Sequence, residues 1–359
     1  MNAQLLVGRG FFTICTFREQ HSHLKKSPDT VTFGRLSNLS DLRTQYQSKR
    51  TQEKIMASIT RQKQVDPVSQ PKLYQYYPTD EDTKRINVHY EQPSRFFELI
   101  TGGEWNVYSC NLWDKGAATE TASQEAKLDM LAELMELKQG QRILDVGCGW
   151  GGPLVYLCKK YGLQGVGVTT SATQKRTAEE RIARHGVDAH IVETHWRDFR
   201  TDLPFDAVYT DEVIVHFSDL DNYFKKVWSV LRDGGRMLNK ELHFTHRKYS
   251  EVTRAMSLVN EIYGSTGNYR TLAQELTIAG DAGFEIEKIA QIPLSNYCRT
   301  LDYWLENMET YKGELEALVS PEYYRRFRTY LKIVRRSHTG HTMTLDVVVS
   351  HKVAGSDVA

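Results

Sequence analysis

From residue 142 onward, short apolar runs alternate with longer segments of helical periodicity. Residues 142–147 read as a buried strand, and a helix through Leu154 and Leu157 follows. The alternation continues with a strand at 163–169, a helix at 171–185, and strands at 190–194 and 205–210. A helix at 220–231 and a turn at Gly234-Gly235 lead into a strand at 236–242. This is the spacing of βαβ units, so an α/β fold with a mostly parallel sheet and helices on both faces is expected. Upstream, helices are expected at 91–101 and at 122–137. The second carries Leu128, Leu131, Leu134 and Met135 on one face and stops at Gly140. Downstream, residues 251–282 read as two helical pieces broken at 264–268. A strand at 284–292, a largely helical aromatic stretch at 297–334 and a strand at 342–353 complete the pattern.

The first 64 residues lack this order. They hold eleven Lys and Arg against four acids and are rich in Ser, Thr and Gln. Residues 1–65 are therefore expected to be a disordered basic extension. A start at Met56 or an organelle transit peptide are the alternatives. Residues 66–140 are expected to form a helical N-terminal cap. Residues 141–353 form the main domain, with cap insertions at about 247–282 and 297–340. The whole chain of 359 residues is 40% hydrophobic and 25% charged with a net charge of +1, so no global charge excess points to nucleic acid. No apolar run reaches the roughly 18 residues of a membrane span. Five cysteines without a CxxC pair argue against a disulfide framework or zinc ribbon and fit a reducing, cytoplasmic compartment.

The densest chemical signal is the segment at 143–153, ILDVGCGWGGP. A strand must turn sharply into a helix there, and Gly147, Gly149 and Gly151 let the backbone approach a ligand closely. A dinucleotide fingerprint would read G-x-G-x-x-G. This chain instead reads GCGWGG, with Asp145 two residues before the first glycine. An acid there can hold a ligand cation. That suits S-adenosylmethionine, whose amino and sulfonium groups are positive and which carries no pyrophosphate.

LDVGCGWGG followed by GVGVTTSATQ resembles the class I S-adenosylmethionine-dependent methyltransferases. More narrowly, it resembles the cyclopropane fatty acid synthase and mycolic acid methyltransferase group. His89-Tyr90, Arg95-Phe96-Phe97 and Tyr108-Ser109-Cys110 are similar to that group's N-terminal segment. Residues 296–304, NYCRTLDYW, are similar to its HYxxTLxxW block, with Asn296 replacing the leading His. The resemblance runs from about residue 85 to 352. It implies a Rossmann-like, seven-stranded sheet with the last strand antiparallel. It also places Tyr108 and Ser109 over the methionine part of the cofactor and Asp145, Gly147, Gly149 and Gly151 in the loop. Thr169, Thr170 and Gln174 fall near the ribose, Trp196 and Arg197 near the adenine, and Asp211 beside the cofactor.

The resemblance also implies a catalytic centre in which a bicarbonate is held by a Cys, a Glu, a His, a Tyr and a backbone group. Cys110 and Tyr297 match two of these. Val215-His216 stands where the group has Glu-His, and Asn239-Lys240 where it has Leu-His. Those departures put bicarbonate, and ring closure, in question. Asp211-Glu212 and Lys240-Glu241 supply new charge nearby. Glu241 reads equally as a catalytic carboxylate and as a structural one, whereas Glu212 reads as a structural partner of Lys240. Cys110 also has an ordinary reading as a small buried residue. His243, His246, His338 and His341 lack supporting metal ligands and are expected on the surface or in loops.

The expected reaction is methyl transfer to carbon, or cyclopropanation, on an unsaturated lipid-like or isoprenoid substrate. N-methylation of a small amine is the alternative, and a non-catalytic cofactor-binding protein is a third. The basic segment from Tyr323 to Arg336 reads as a solvated helix face or as a contact with anionic lipid. No nucleic-acid partner is expected, and the sequence leaves the oligomeric state open.

Overall fold

The computed structural model describes residues 76–249, 262 and 267–353. Strands β1 (Arg142–Val146), β2 (Gln164–Thr169) and β4 (Phe205–Asp211) are buried along nearly their whole length. Near-continuous apolar runs of this kind mark strands covered on both faces, as parallel strands are. With β3 (Ala189–Glu193), β5 (Leu231–Phe244), β6 (Phe284–Ile292) and β7 (Met343–Lys352), they form one seven-stranded sheet in the order β3-β2-β1-β4-β5-β7-β6. Strands β1 to β5 pair in parallel, and β7 runs antiparallel between β5 and β6.

Helices α1 (Thr79–Tyr90), α2 (Ser94–Thr101), α3 (Glu120–Leu134), α4 (Gly152–Tyr161) and α5 (Ala172–His185) precede β3. Helix α6 (Leu220–Val230) lies between β4 and β5, and α7 (Leu272–Asp281) precedes β6. Helices α8 (Leu294–Thr310), α9 (Lys312–Leu318) and α10 (Pro321–Ser337) precede β7. Two apolar clusters cover the sheet. One gathers residues of α2, α3, α4 and α8 to α10, and the other residues of α6 and α7. The chain winds from β1 to β3 on one side of β1 and resumes with β4 on the other. The carboxyl ends of β1 and β4 are therefore the switch point where open α/β sheets bind ligands.

Several boundaries differ from the sequence expectation for identifiable reasons. Helix α1 was not anticipated, because its buried residues are Asp82 and His89 rather than an apolar stripe. Helix α2 begins at Ser94, since Pro93 occupies its N-cap. The expected strand at 236–242 extends to Leu231–Phe244, and the glycine pair lies inside an irregularity between the pairs Phe205/Leu231 and Ala207/Arg236. The long aromatic helix is three helices, the last restarted by Ser320, whose side chain accepts from the Tyr323 N–H. The expectations for residues 1–75 and for most of 251–266 lie outside the described residues.

The histidine expectation also needs correction. His246 and His341 are exposed, but His243 and His338 are buried. His243 Nδ1 bonds Asp346 on β7 at 3.0 Å and Nε2 bonds Glu275 on α7 at 2.6 Å. Burial alone would lower the His243 pKa, but these two carboxylates raise it to about 10. The imidazole is thus a structural cation, paired by acids about a hundred and about thirty residues away in sequence. Among the described residues, no group of His, Cys, Asp and Glu is arranged to hold a metal.

Candidate active site

A cleft opens at the carboxyl ends of β1, β2 and β4, where open α/β sheets bind ligands. The glycine turn forms its floor. Gly149 has φ +53° and lines the cleft, and a Cβ on it would meet no protein atom within 4 Å. The space over this residue is open. Asp145 lines the wall beside it and accepts a 2.6 Å bond from the Tyr209 hydroxyl. Burial raises the Asp145 pKa to about 7, against the lowering effect of Tyr209.

The far side of the cleft follows β2 and β3. The Thr169 hydroxyl donates to Gln174 Oε1 at 2.6 Å. The Thr170 hydroxyl bonds Asn87 on α1 at 2.9 Å. Trp196 packs beside Phe217 and Tyr223 with ring centroids 5.4 Å away in each case, and its indole Nε1 is buried without a partner. Tyr108 is clamped in place. Its ring stacks on Trp304 at 4.9 Å, and its hydroxyl lies 3.2 Å from His89 Nε2. Burial lowers the His89 pKa to about 4, so the ring is neutral. Its Nδ1–H donates to the Ile262 carbonyl at 3.0 Å, leaving Nε2 to accept from Tyr108.

Two buried lysines and two acids meet at the end of β4. Lys127 on α3 bonds Asp211 and, at 2.8 Å, Ser109 Oγ. Ser109 also donates to Asp211 at 2.7 Å. Lys240 on β5 bonds Asp211 at 2.8 Å and also Glu212. Glu212 further accepts the Cys110 backbone N–H at 2.8 Å and the Tyr297 hydroxyl at 2.5 Å. Although burial pushes Asp211 up, the two ammonium groups hold it well below the usual carboxylate range. The four charges balance, as buried ions must.

The family model described as mycolic acid cyclopropane synthetase matches residues 78–347. The chain belongs to this family. A probable fatty acid methyltransferase of Pseudomonas putida is 28% identical over 70% of the chain, and the match spans 64% of that relative's length. Cyclopropane mycolic acid synthase 2 of Mycobacterium leprae is 28% identical over 68% of the chain and 86% of its own length. Among solved structures, the mycolic acid cyclopropane synthase CmaA1 complexed with SAH and CTAB aligns with a TM-score of 0.70 and 24% identity. It covers 75% of this chain and 98% of its own. The cyclopropane synthase MmaA2 of Mycobacterium tuberculosis aligns with a TM-score of 0.69 and 22% identity, over the same shares.

As a mycolic acid cyclopropane synthetase family member, the chain is an S-adenosylmethionine-dependent enzyme with a class I methyltransferase fold. The residues present fit that cofactor. An open cradle lies over Gly149, a buried carboxylate waits at Asp145, and a flat indole lies across the cleft at Trp196. Tyr108, Ser109, Asp145, Gly147, Gly149, Thr169, Thr170, Gln174, Trp196 and Asp211 all line the cleft. Gly151 and Arg197 are not in its wall. Gly151 packs on Ala178, and Arg197 turns outward to the Tyr77 carbonyl, Asp82 and Asp219. Cys110, Tyr297 and Glu241 are not in the wall either. Cys110 and Tyr297 sit behind Glu212, which is. Glu241 accepts the N–H groups of Val215 at 3.0 Å and Leu242 at 2.8 Å, so its carboxylate ties a backbone turn.

Lys127 was not singled out from the sequence, and Tyr90 and His216 were named only within the family resemblance, without a site role. Lys127 falls one position before Leu128 on the buried face of α3, and a lysine on a buried stripe is a signal. Tyr90 and His216 line the cleft with a 3.2 Å bond between them.

A pH dependence follows from Asp145. Its carboxylate must be ionised to attract the ammonium of a bound cofactor, and it is half-protonated near pH 7. Affinity for S-adenosylhomocysteine is expected to rise about tenfold from pH 6 to pH 8. Asp145→Asn should flatten that rise. A flat wild-type profile in calorimetry would remove Asp145 from cofactor binding.

Proposed function

We propose that this chain transfers a methyl group from S-adenosylmethionine to a double-bond carbon of an unsaturated lipid-like or isoprenoid substrate. The observation that carries this reading is the state of the acids in the cleft. Asp211 receives three donors, two of them ammonium groups, and Glu212 receives three, one an ammonium. Both acids are already paired with protein ammonium groups, whereas a cationic amine is best anchored by a carboxylate that has no resident cation. The rings of Tyr90, Tyr108, Trp150 and His216 line the same cleft, and aromatic faces suit a substrate that becomes cationic at carbon. The lipid specificities in the relatives' names point the same way.

When bound, the cofactor supplies an electrophilic methyl on a sulfonium. The chain's residues orient the acceptor against it, exclude water and balance developing positive charge. Tyr108 is fixed by Trp304 and His89, and Asp211 by Lys127 and Lys240, so this environment is in place before substrate arrives. Peripheral membrane contact is part of the reading. Arg325, Lys332 and Arg336 lie exposed on one side of α10, a face suited to anionic lipid. No described helix is long and apolar enough to cross a membrane. The free thiols of Cys110, Cys148, Cys158 and Cys298 fit the reducing, cytoplasmic setting.

The test is mass spectrometry of lipid and polar extracts incubated with the protein and methyl-labelled S-adenosylmethionine. The expected product is a lipid or isoprenoid heavier by one methylene, and its remaining unsaturation separates a ring from a branch. Label appearing only in polar amines would overturn the carbon reading.

A further inference from the structure

We propose that Glu212 is the base of this enzyme, taking the proton that the substrate cation sheds after carbon–carbon bond formation. The inference rests on the methyl-transfer reading and names the residue that completes it. Glu212 lies on the cleft wall at the end of β4, with its backbone at φ +61°. That left-handed conformation is uncommon for a side chain of this size, and such strain gathers at functional positions. Its N–H donates to the Lys240 carbonyl at 2.7 Å, which holds the turn. The carboxylate is then fixed from three sides, by the Cys110 N–H, the Lys240 ammonium and the Tyr297 hydroxyl. A carboxylate offers about four acceptor directions, so three donors orient the group and leave one direction. Lys240 and Tyr297 are positioning residues here.

The other candidates fit less well. Asp211 lies between two ammonium groups and is the poorer proton acceptor. The Cys110 thiol bonds the Asn111 carbonyl at 3.4 Å, and burial pushes its pKa up, so no thiolate forms. His216 shares its Nε2 with the Tyr90 hydroxyl, and burial lowers its pKa to about 3. Glu241 is committed to two backbone N–H groups away from the cleft wall.

The step balances. The π pair of the substrate forms the bond to the methyl, the methyl–sulfur pair stays on sulfur, and positive charge appears on the neighbouring alkene carbon. Glu212 then accepts one proton from the transferred methyl or from an adjacent carbon. The released C–H pair closes a ring or forms a double bond, and the proton leaves to water when product departs. With a carboxylate resident in the protein, no dissolved anion is required.

Glu212→Gln and Glu212→Gly test the assignment, and glycine suits the positive φ of the site. Both should bind S-adenosylhomocysteine within about threefold of wild type while turnover falls about 100-fold or more. Added formate or bicarbonate should restore turnover to the glycine variant, and wild-type turnover should be indifferent to bicarbonate depletion. Near-normal turnover of both variants, or wild-type turnover that collapses without bicarbonate, would overturn the assignment while leaving carbon methylation standing. A wild-type enzyme that methylates only amines would overturn both.

Discussion

Gly149→Val is expected to abolish cofactor binding while leaving the fold intact. The residue has φ +53°, lines the cleft, and has no protein atom within 4 Å of a hypothetical Cβ. A valine side chain would therefore enter the cofactor's space without disturbing its neighbours. Loss of at least about 100-fold in S-adenosylhomocysteine affinity is expected, equivalent to ~2.7 kcal/mol. Backbone strain alone would cost ~1–2 kcal/mol of stability and must be separated from occlusion. Gly186 supplies the control. It caps α5 with φ +62°, a Cβ there also meets nothing within 4 Å, and it is not in the cleft wall. Gly186→Val should lower the melting temperature about as much as Gly149→Val yet bind the cofactor normally. Equal affinity in the two variants would show that the cofactor does not lie over Gly149.

The glycine loop was legible because its chemistry is local. Strand, turn and helix start lie within about a dozen residues, and the structure places Gly147 and Gly149 of that turn in the cleft wall. The central strands were legible because burial on both faces leaves an apolar run at each. Helix α1 was hidden because the groups it buries are Asp82, bonded to His195 at 3.3 Å, and His89, bonded to Tyr108. A helix that buries polar groups for specific partners leaves no hydrophobic period to detect.

The charged centre was legible only in parts. Its members come from α3, the segment after α2, β4, β5 and α8, and no spacing rule links them. The adjacent pair Lys240-Glu241 shows the difficulty. Successive residues on a strand point to opposite faces. Which of the two meets Asp211-Glu212 depends on register, and the structure pairs Lys240 with Asp211. That register sends Lys240 to both acids and Glu241 to the Val215 turn. Trp196 and Arg197, in the turn after β3, also diverge, with the indole in the cleft wall and the guanidinium outside it.

Lys240→Met is expected to be the most damaging single change to stability. The ammonium is fully buried and bridges Asp211 and Glu212, which sit next to each other in the chain. Without it, two carboxylates face one remaining ammonium, Lys127, and the site carries an uncompensated negative charge. Stranding a buried charge in this way costs ~3–5 kcal/mol, measurable by urea unfolding. An exposed pair such as Lys175–Glu179 at 3.7 Å should cost no more than ~1 kcal/mol when broken. The pH dependence is diagnostic. In the variant, one acid is held above its unfolded pKa, so the native state binds more protons than the unfolded state. Stability should therefore rise as pH falls from about 8 to about 5. The diagnostic is the difference from wild type, which shares the contribution of the raised Asp145 carboxyl but holds Asp211 low, so that Asp211 adds stability lost only in stronger acid. Adding Glu212→Gln to Lys240→Met restores charge balance with Lys127 and Asp211, and should recover about 1 kcal/mol or more. A small, pH-independent loss in the single variant, with no recovery in the double, would mean that the four charges do not act as one balanced unit.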